Sequence, residues 1–310
     1  FIVGLEGTTG LRIHERLSDR KDIELLATAD EDRKNVEAIK EVAKEADIVF
    51  LCLPDAASKE IMAAIGKLPC KVIDTSTAFR TADDWAYGFP ELGEKYKTAI
   101  ATEKHIANPG CHASGMIACI APLVKAGLVP ADYPFTITSL TGYSGGGKKM
   151  IGQYESAPKD YFLYAPRQYG LGQQHKHLPE VQHVCGLSEA PIFMPIVDDY
   201  YSGMEVTVGI HSRLCQKPIS IDKVQQALED FYKNSTIITV APFTDSSNTG
   251  MLNANKLSNT DSMKIYVTGN DERIMVHAIF DNLGKGASGA AVQCMNIALG
   301  LPEETGLALE

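Results

Sequence analysis

Short apolar runs alternate with amphipathic patterns through the first hundred residues. The apolar runs cover 1–4, 23–28, 48–53 and 71–74. The helical patterns between them cover 11–17, 33–45 and 57–65. Near-continuous strands of Val, Ile and Leu separated by helices are typical of β-α-β units, whose parallel sheet is buried on both faces. The pattern therefore predicts an N-terminal Rossmann-like α/β domain.

The pattern changes after Cys111. Polar and apolar residues alternate in the later runs, at 134–140, 205–211 and 264–268. Alternation of this kind indicates a more antiparallel sheet with one face covered by helices. The last long segment, 285–299, is rich in small residues and reads as a helix. We therefore expect an α/β dinucleotide domain followed by an α+β catalytic domain.

Composition and charge exclude several classes of function. The chain has 310 residues, which suits two domains, and its net charge of −10 disfavours a nucleic-acid partner. No apolar stretch reaches the ~20 residues that span a bilayer, so no membrane partner is expected. The seven cysteines are scattered without a CxxC pair. That usage indicates a reducing, cytoplasmic setting and no metal site.

A glycine-rich segment follows the first strand and opens a helix. Glycines in such a loop let the pyrophosphate of a dinucleotide sit at the helix N-terminus. The proposed contacts are Gly4, Gly7, Thr8, Thr9 and Gly10. Asp30 stands where an acid would bind the ribose of NAD, whereas Arg33 and Lys34 suit the 2′-phosphate of NADP. These residues leave the choice of dinucleotide open.

Cys111 is the strongest candidate for chemistry. Pro109 and Gly110 force a turn directly before it, and the apolar run 116–123 reads as a helix. A cysteine at a helix N-terminus gains stabilisation of its thiolate from the helix dipole and the free N–H groups. Such a thiolate suits attack on a carbonyl carbon, which gives a tetrahedral oxyanion and then a thioester.

A second polar segment, 175–180, offers the acid/base partner. Pro179 suits the first turn of a helix, so His175 and His177 fall just before that helix. Either histidine suits proton transfer to and from the reacting oxygen, and Glu180 is placed to orient one imidazole. We expect His112, next to the nucleophile, to point elsewhere.

Several weaker polar motifs complete the candidate site. Segment 141–148 lacks the Walker spacing and reads as a second glycine loop against the cofactor, through Ser144 and Gly145. The hydroxyls and guanidinium of segment 76–80 suit a phosphate group. We assign four residues to the substrate and its phosphate: Ser76, Arg80, Asn108 and Arg167.

Taken together, these motifs resemble the short form of the N-acetyl-gamma-glutamyl-phosphate reductase family. The resemblance spans nearly the whole chain. It is carried by GTTG at 7–10, LCLPDAA at 51–57, DTSTAFR at 74–80, YGFPEL at 87–92, NPGC at 108–111, GYSGGGKKM at 142–150, HKHLPE at 175–180 and DNLGKGASGAAVQ at 281–293.

The resemblance implies NADP as cofactor and the semialdehyde dehydrogenase fold, like that of aspartate-semialdehyde and glyceraldehyde-3-phosphate dehydrogenases. The catalytic domain would be of the glyceraldehyde-3-phosphate dehydrogenase-like type. It implies reduction of N-acetyl-glutamyl 5-phosphate to the 5-semialdehyde with release of phosphate, in arginine biosynthesis. Carried onto this sequence, it makes Cys111 the nucleophile, His177 or His175 the acid/base, and Asn282 a neighbour of the nicotinamide.

The resemblance also implies a division of the chain. The dinucleotide domain covers 1–111 and is completed by a closing helical segment, 284–310. The catalytic, substrate-binding and oligomerisation domain covers 112–283. We expect a homodimer or homotetramer.

Three other interpretations stay open at the level of sequence. An aspartate-semialdehyde dehydrogenase shares the cysteine chemistry and differs in its substrate pocket. In a dinucleotide-binding regulator that has no catalytic activity, the loop around Cys111 would have no role. In a cysteine hydrolase, the N-terminal glycine loop would have no role.

Overall fold

The computed structural model describes residues 1–243 and 250–310. It divides into two compact units. The first unit comprises Phe1–Gly110 and Ala287–Leu307, and the second comprises Cys111–Gly286 and Ala308–Glu310.

The first unit is built on a five-stranded sheet in the order β1-β2-β3-β5-β4. All of its neighbouring strands pair in parallel. The strands are β1 Ile2–Val3, β2 Ile48–Leu51, β3 Lys71–Asp74, β4 Ala86–Tyr87 and β5 His105–Ala107. The helices between them are α1 Thr8–Ser18, α2 Val36–Glu45, α3 Asp55–Ile65 and α4 Glu94–Thr102. The predicted parallel α/β unit is confirmed.

Helices cover both faces of this sheet. On one face, Ile13 and Leu17 of α1 pack in a core cluster that contains Ile73 and Ile106. On the other face, side chains of α2 and α3 pack in a second cluster with alternate residues of β2 and β3. Strand β2 is buried at every position, as burial on both faces requires.

The strand predicted over 23–28 is wrong, because the structure has no strand there. The apolar side chains nevertheless reach the interior. Ile23 and Leu25 pack against one core cluster, and Leu26 packs against the other. Apolar spacing reports which side chains are buried, whereas a strand also needs a neighbour's backbone in register.

The second unit is built on a seven-stranded mixed sheet in the order β10-β11-β12-β9-β6-β8-β7. Two neighbouring pairs, β6/β8 and β10/β11, are parallel, and the other four are antiparallel. The strands are β6 Thr136–Gly142, β7 Arg167–Gln168, β8 Ile192–Asp198, β9 Met204–His211, β10 Ile238–Val240, β11 Met263–Gly269 and β12 Arg273–Phe280. The helices are α5 Cys111–Lys125, α6 Gly147–Tyr154, α7 Leu178–Cys185 and α8 Ile221–Tyr232.

Helix α5 is the core helix of the second unit. It is buried along most of its length, and Met116 through Ile120 are inaccessible to solvent. Tyr232 of α8 donates to the carbonyl of Ala118 at 2.9 Å. Alternate residues of β9 are buried, so one face of the sheet packs against the core. The predicted mixed sheet with a helix-covered face is confirmed.

The segment after β12 returns to the first unit. A π-helical turn, Gly284–Ser288, leads into α9, Gly289–Ala298. Side chains of α9 join the core cluster that contains Ile13 and Leu17. Arg20 of the first unit donates to Oδ1 of Asn296 at 2.7 Å. Short 3₁₀ helices complete the fold, at Asp30–Asp32, Pro90–Leu92, Tyr143–Gly146, Tyr161–Tyr164 and Ser212–Leu214.

Candidate functional site

Cys111 is the first residue of α5, the position predicted for it. The strand before it ends at Ala107, so the turn 108–110 delivers the thiol to the helix N-terminus. Its side chain is partly exposed, whereas Cys119, two turns further along α5, is buried. Burial raises the pKa of the Cys119 thiol well above its ordinary value, and it raises the pKa of Cys52 to about 12. Those two thiols are core residues in character.

The space beside Cys111 depends on Gly286. A Cβ atom added at Gly286 would lie 3.0 Å from Cβ of Cys111 and 3.1 Å from the carbonyl oxygen of Asp281. Both distances are shorter than ordinary van der Waals contact. Glycine in the π-helical turn therefore lets the backbone approach the cysteine closely.

His112 does not point away from the site, and that expectation is wrong. Its ring is buried among other aromatic side chains of the second unit. Its centroid lies 5.5 Å from the ring of His175, 5.7 Å from that of His177 and 5.2 Å from that of Phe193. Nδ1 lies 2.8 Å from Oγ of Ser139, and Nε2 lies 2.6 Å from the hydroxyl of Tyr169.

The two candidate histidines lie side by side. Their ring centroids are 4.7 Å apart and the rings meet edge to face. The backbone N–H of His177 donates to Nδ1 of His175 at 3.2 Å. Burial, with the nearby charge of Lys176, lowers the pKa of His175 to about 4. His175 is therefore neutral near pH 7, with Nδ1 as acceptor and its proton on Nε2.

Helix α7 begins directly after this pair, as the position of Pro179 predicted. His177 is its N-cap, Leu178 is its first residue, and Pro179 lies in its first turn. The N–H of Val181 donates to the carbonyl of His177 at 3.1 Å. Glu180 is 1% exposed, so its carboxylate lies in the interior beside the start of the helix. The first turn of α7 thus fixes the backbone of His177.

Three residues predicted to contact the cofactor come together in the second unit. Ser144 and Gly145 lie in the 3₁₀ helix after β6, and Asn282 follows β12. The side-chain amide of Asn282 donates to Oγ of Ser144 at 3.0 Å. Its carbonyl oxygen accepts from the N–H of Gly203 at 2.9 Å. Asn282 therefore joins the glycine loop to the neighbouring backbone.

The N-terminal glycine loop lies between β1 and α1 in the first unit. Gly4 has φ +89°, and a side chain there would run into the carbonyl of Cys52. Gly7 is the N-cap of α1, and Thr8, Thr9 and Gly10 form its first turn. A loop with glycine at both ends that leads into helical N–H groups fits the pyrophosphate of a dinucleotide.

Arg33 reaches this loop. Its guanidinium lies 2.6 Å from the carboxylate of Glu6, and both side chains are more than half exposed. A cation therefore stands beside the glycine loop, at the surface. Asp30, the alternative contact for a ribose, begins the 3₁₀ helix just before it and is also exposed.

Three of the residues assigned to substrate or phosphate meet at the carboxyl ends of β3 and β5. Arg80 donates to the carbonyls of Asn108 at 2.9 Å and of Thr75 at 3.0 Å. Ser76 donates to the carboxylate of Asp74 at 2.5 Å. The side chains of Arg80 and Ser76 are therefore already engaged within the first unit. The sequence motifs did not single out Asp74, which is fully buried.

Arg167, the fourth of these residues, lies in the second unit. It begins β7, the edge strand of the seven-stranded sheet, and its side chain is exposed. It lines a surface depression together with Ser156, Lys159 and Asp160.

Tyr169 and Ser139 are two further polar residues that the sequence motifs did not indicate. Tyr169 stands 57 residues from His112 along the chain, and Ser139 stands 27 residues from it. Nothing in local spacing connects them. In the part of the chain that the structure describes, no group of His, Cys, Asp or Glu is arranged to hold a metal ion. Over the same residues, no helix has both the length and the apolarity needed to span a membrane.

Two protein-family profiles match the chain. "Semialdehyde dehydrogenase, NAD binding domain" matches residues 1–99, and "Semialdehyde dehydrogenase, dimerisation domain" matches residues 111–282.

Curated relatives cover almost the full length of the chain. N-acetyl-gamma-glutamyl-phosphate reductase 2 of Nostoc sp. is 40% identical, over 99% of this chain and 98% of its own. N-acetyl-gamma-glutamyl-phosphate reductase of Brucella anthropi is 43% identical, over 97% of this chain and 98% of its own. The enzyme of the same name from Sinorhizobium medicae is 42% identical, over 96% of this chain and 98% of its own.

Solved structures share the fold at low identity. Aspartate semialdehyde dehydrogenase II of Vibrio cholerae superimposes with a TM-score of 0.72 at 18% identity, over 96% of this chain and 97% of that one. Aspartate semialdehyde dehydrogenase of Francisella tularensis gives 0.68 at 15% identity, over 96% of this chain and 98% of that one.

Proposed function

Because the chain belongs to the N-acetyl-gamma-glutamyl-phosphate reductase family, we propose that it reduces N-acetyl-glutamyl 5-phosphate to the 5-semialdehyde and releases phosphate. The family inferred from the motifs is confirmed, and so is the semialdehyde dehydrogenase fold. The chain is an oxidoreductase with a nucleotide-binding domain.

One observation carries the chemistry that we propose. Cys111 opens α5 with a partly exposed thiol, and the residue after it carries the ring against which His175 and His177 pack. A nucleophile at a helix N-terminus and two imidazoles are thereby gathered in one unit.

Cys111 is the proposed nucleophile. Its sulfur attacks the carbonyl carbon of the acyl phosphate, a C–S bond forms, and the bond to the phosphate oxygen breaks. The first N–H groups of α5 have no acceptor within the helix and can hold the oxyanion. Phosphate leaves, and a thioester on Cys111 remains. When bound, the nicotinamide supplies the hydride that the thioester carbon needs.

His177 is the proposed acid/base, with His175 as the alternative. The tetrahedral oxygen must hold a proton after reduction and lose it when the C–S bond breaks to release the aldehyde. His177 is held at the N-cap of α7, where Glu180 can orient its imidazole. His175 accepts the N–H of His177, which fixes the two residues relative to one another.

The first unit is the proposed dinucleotide domain, with NADP preferred to NAD. The glycine loop from Gly4 to Gly10 would hold the pyrophosphate, and the Arg33 guanidinium would pair with the 2′-phosphate. We propose that this domain covers 1–111 with 284–310, and that 112–283 form the catalytic domain. Ser144, Gly145 and Asn282 would face the nicotinamide.

The substrate contacts that we propose differ in strength. Arg167 is exposed and suits the substrate carboxylate. Arg80 already donates to two backbone carbonyls. It would therefore form the binding site for the substrate phosphate together with Ser76 and Asn108, and it would not bind the phosphate alone. The dimerisation-domain profile over 111–282 supports a homodimer or homotetramer.

The test runs the reaction in the oxidative direction. The protein is mixed with N-acetylglutamate 5-semialdehyde, phosphate and NADP, and the absorbance of reduced nicotinamide is followed. NAD and aspartate semialdehyde serve as parallel controls. We expect phosphate-dependent reduction of NADP with the acetylated substrate. Turnover only with aspartate semialdehyde would contradict the proposed substrate. Turnover only with NAD would contradict the proposed preference for NADP.

A further inference from the structure

We propose that Tyr169 is a catalytic hydrogen-bond donor for this reaction, and that Ser139 and His112 turn its hydroxyl proton toward the substrate oxygen at Cys111. The proposal rests on the proposed function, since it assigns a group to the oxygen of the Cys111-bound substrate. The three residues form one chain of hydrogen bonds in the second unit: Ser139 Oγ to His112 Nδ1 at 2.8 Å, and His112 Nε2 to Tyr169 hydroxyl at 2.6 Å.

Ser139 determines which group donates and which accepts in this series of hydrogen bonds. Its side chain is inaccessible to solvent, so its O–H must donate to a protein acceptor. Among the described residues, its hydroxyl has one hydrogen-bond partner, Nδ1 of His112. Ser139 therefore donates, and Nδ1 accepts.

The protonation of His112 then determines the direction of its hydrogen bond with Tyr169. Burial, with electrostatic repulsion from Lys176 and from protonated His175, lowers the pKa of His112 to about 3. The ring is therefore neutral under working conditions and carries a single proton. Since Nδ1 accepts, that proton lies on Nε2, and His112 donates to the oxygen of Tyr169.

Tyr169 is then left with its own proton to give. Its oxygen accepts from His112, and the part of the chain that the structure describes offers no acceptor for its O–H. Burial and the nearby charge of Cys111 both raise the pKa of the phenol, so it keeps its proton. The side chain is only partly buried. A protonated phenol with an O–H still to donate thus lies against the ring of His112, the residue that follows the nucleophile.

A donor in this position acts where charge develops. When the Cys111 sulfur adds to the carbonyl carbon, the carbonyl oxygen becomes negative, and a pre-oriented O–H stabilises it without reorganisation. The backbone N–H groups of α5 would bind the same oxygen. Tyr169 would add a side-chain donor that the fold holds in one orientation.

The experiment compares Tyr169→Phe and Ser139→Ala with the parent protein in the oxidative assay. Tyr169→Phe keeps the ring contacts and removes only the hydroxyl. We expect kcat to fall by ~10²–10³-fold, the loss typical of one oxyanion donor. We expect the KM of the acetylated semialdehyde to change far less than kcat. Ser139→Ala frees His112 to change tautomer, and kcat should fall by a smaller factor.

Alkylation of Cys111 by iodoacetamide separates this role from a structural one. That reaction forms no oxyanion, so its rate should stay within ~2-fold of the parent in both variants. Tyr161→Phe removes an exposed hydroxyl from the same unit and is the matched control. An active parent with unchanged kcat in Tyr169→Phe would overturn the proposal and leave the proposed function standing. Slower alkylation in proportion to kcat would also overturn it, in favour of a structural role. A parent inert with every substrate pair would overturn the proposed function and the inference with it.

Discussion

The side-chain amide of Asn282 donates to Oγ of Ser144 at 3.0 Å, although 138 residues separate the two along the chain. The same side chain accepts from the N–H of Gly203. Asn282 is 2% exposed, so all of these polar groups lie in the interior. A side chain from the segment after β12 therefore holds the second glycine loop in place.

Replacing Asn282 by Ala should destabilise the second unit. Two buried hydrogen bonds are lost and their partners are left unsatisfied, which costs ~2–4 kcal/mol. The midpoint of urea unfolding measures the change, with circular dichroism as the signal. Asn253→Ala, at an exposed position, is the control and should leave the midpoint in place. An unshifted midpoint in Asn282→Ala would contradict the fastening role.

Replacing Cys111 by Ser should abolish turnover and leave dinucleotide binding intact. A serine hydroxyl is a far weaker nucleophile than a thiolate, so we expect a loss of several orders of magnitude. Equilibrium dialysis with the reduced dinucleotide measures binding in the same sample. Cys215→Ser, a buried cysteine in the same unit, should retain turnover. Undiminished turnover in Cys111→Ser would remove the thioester from the mechanism.

Adding a methyl group at Gly286 should impair the cysteine without unfolding the protein. The new Cβ would lie 3.0 Å from Cβ of Cys111, so the thiol or the π-helical turn must shift. Overpacking of this kind costs ~1–3 kcal/mol. We expect Gly286→Ala to lower kcat and to slow alkylation of Cys111. Gly152→Ala is the matched control, because a Cβ there meets no atom within 4 Å. Equal kcat in the two variants would show that the site tolerates the added volume.

Arg33→Ala should weaken NADP selectively. A charge-assisted contact to a phosphate is worth ~1.5–3 kcal/mol, which raises the KM of NADP by about ten- to a hundredfold. The KM of NAD should stay nearly constant, because NAD has no 2′-phosphate. Steady-state kinetics with both dinucleotides decide the point, with the exposed Arg213→Ala as control. A parallel rise for NAD would place Arg33 outside the 2′-phosphate site.

Stability should fall on acidification because of the buried histidines. The folded-state pKa values of His112 and His175, about 3 and about 4, lie below the unfolded value of about 6.5. Below about pH 6.5 the two histidines take up protons in the unfolded chain but stay neutral in the folded chain. They therefore lower the free energy of unfolding as the pH drops from about 6.5 toward 4, and they leave it unchanged above about 6.5. For the fully buried His112 the slope is at most ~1.4 kcal/mol per pH unit.

Urea unfolding at a series of pH values tests this dependence. His112→Gln should flatten the decline between about pH 6.5 and about pH 4. His183→Gln, an exposed histidine of α7, should leave the decline unchanged. A decline as steep in His112→Gln as in the parent would assign the acid sensitivity to other groups.

Local patterns in the sequence determined much of this protein. Apolar runs predicted β2 and β3, and β2 is apolar and buried at every position, as a strand covered on both faces requires. The Pro-Gly turn predicted a helix that begins at Cys111, and Pro179 predicted the start of α7. Proline fixes its backbone angle φ, and glycine permits tight turns that other residues disfavour, so both act locally. The family followed from eight ordered motifs.

Only the tertiary structure decided the relations between distant segments. The apolar run at 23–28 is buried without becoming a strand, because strand formation needs a partner that the run does not contain. His112 meets Tyr169 across 57 residues, since the register of β8 with β7 sets where Tyr169 stands. Spacing along a chain constrains neighbours within a few residues. Contacts across a sheet depend on strand order and register, which the pattern of polar and apolar residues along the sequence does not determine.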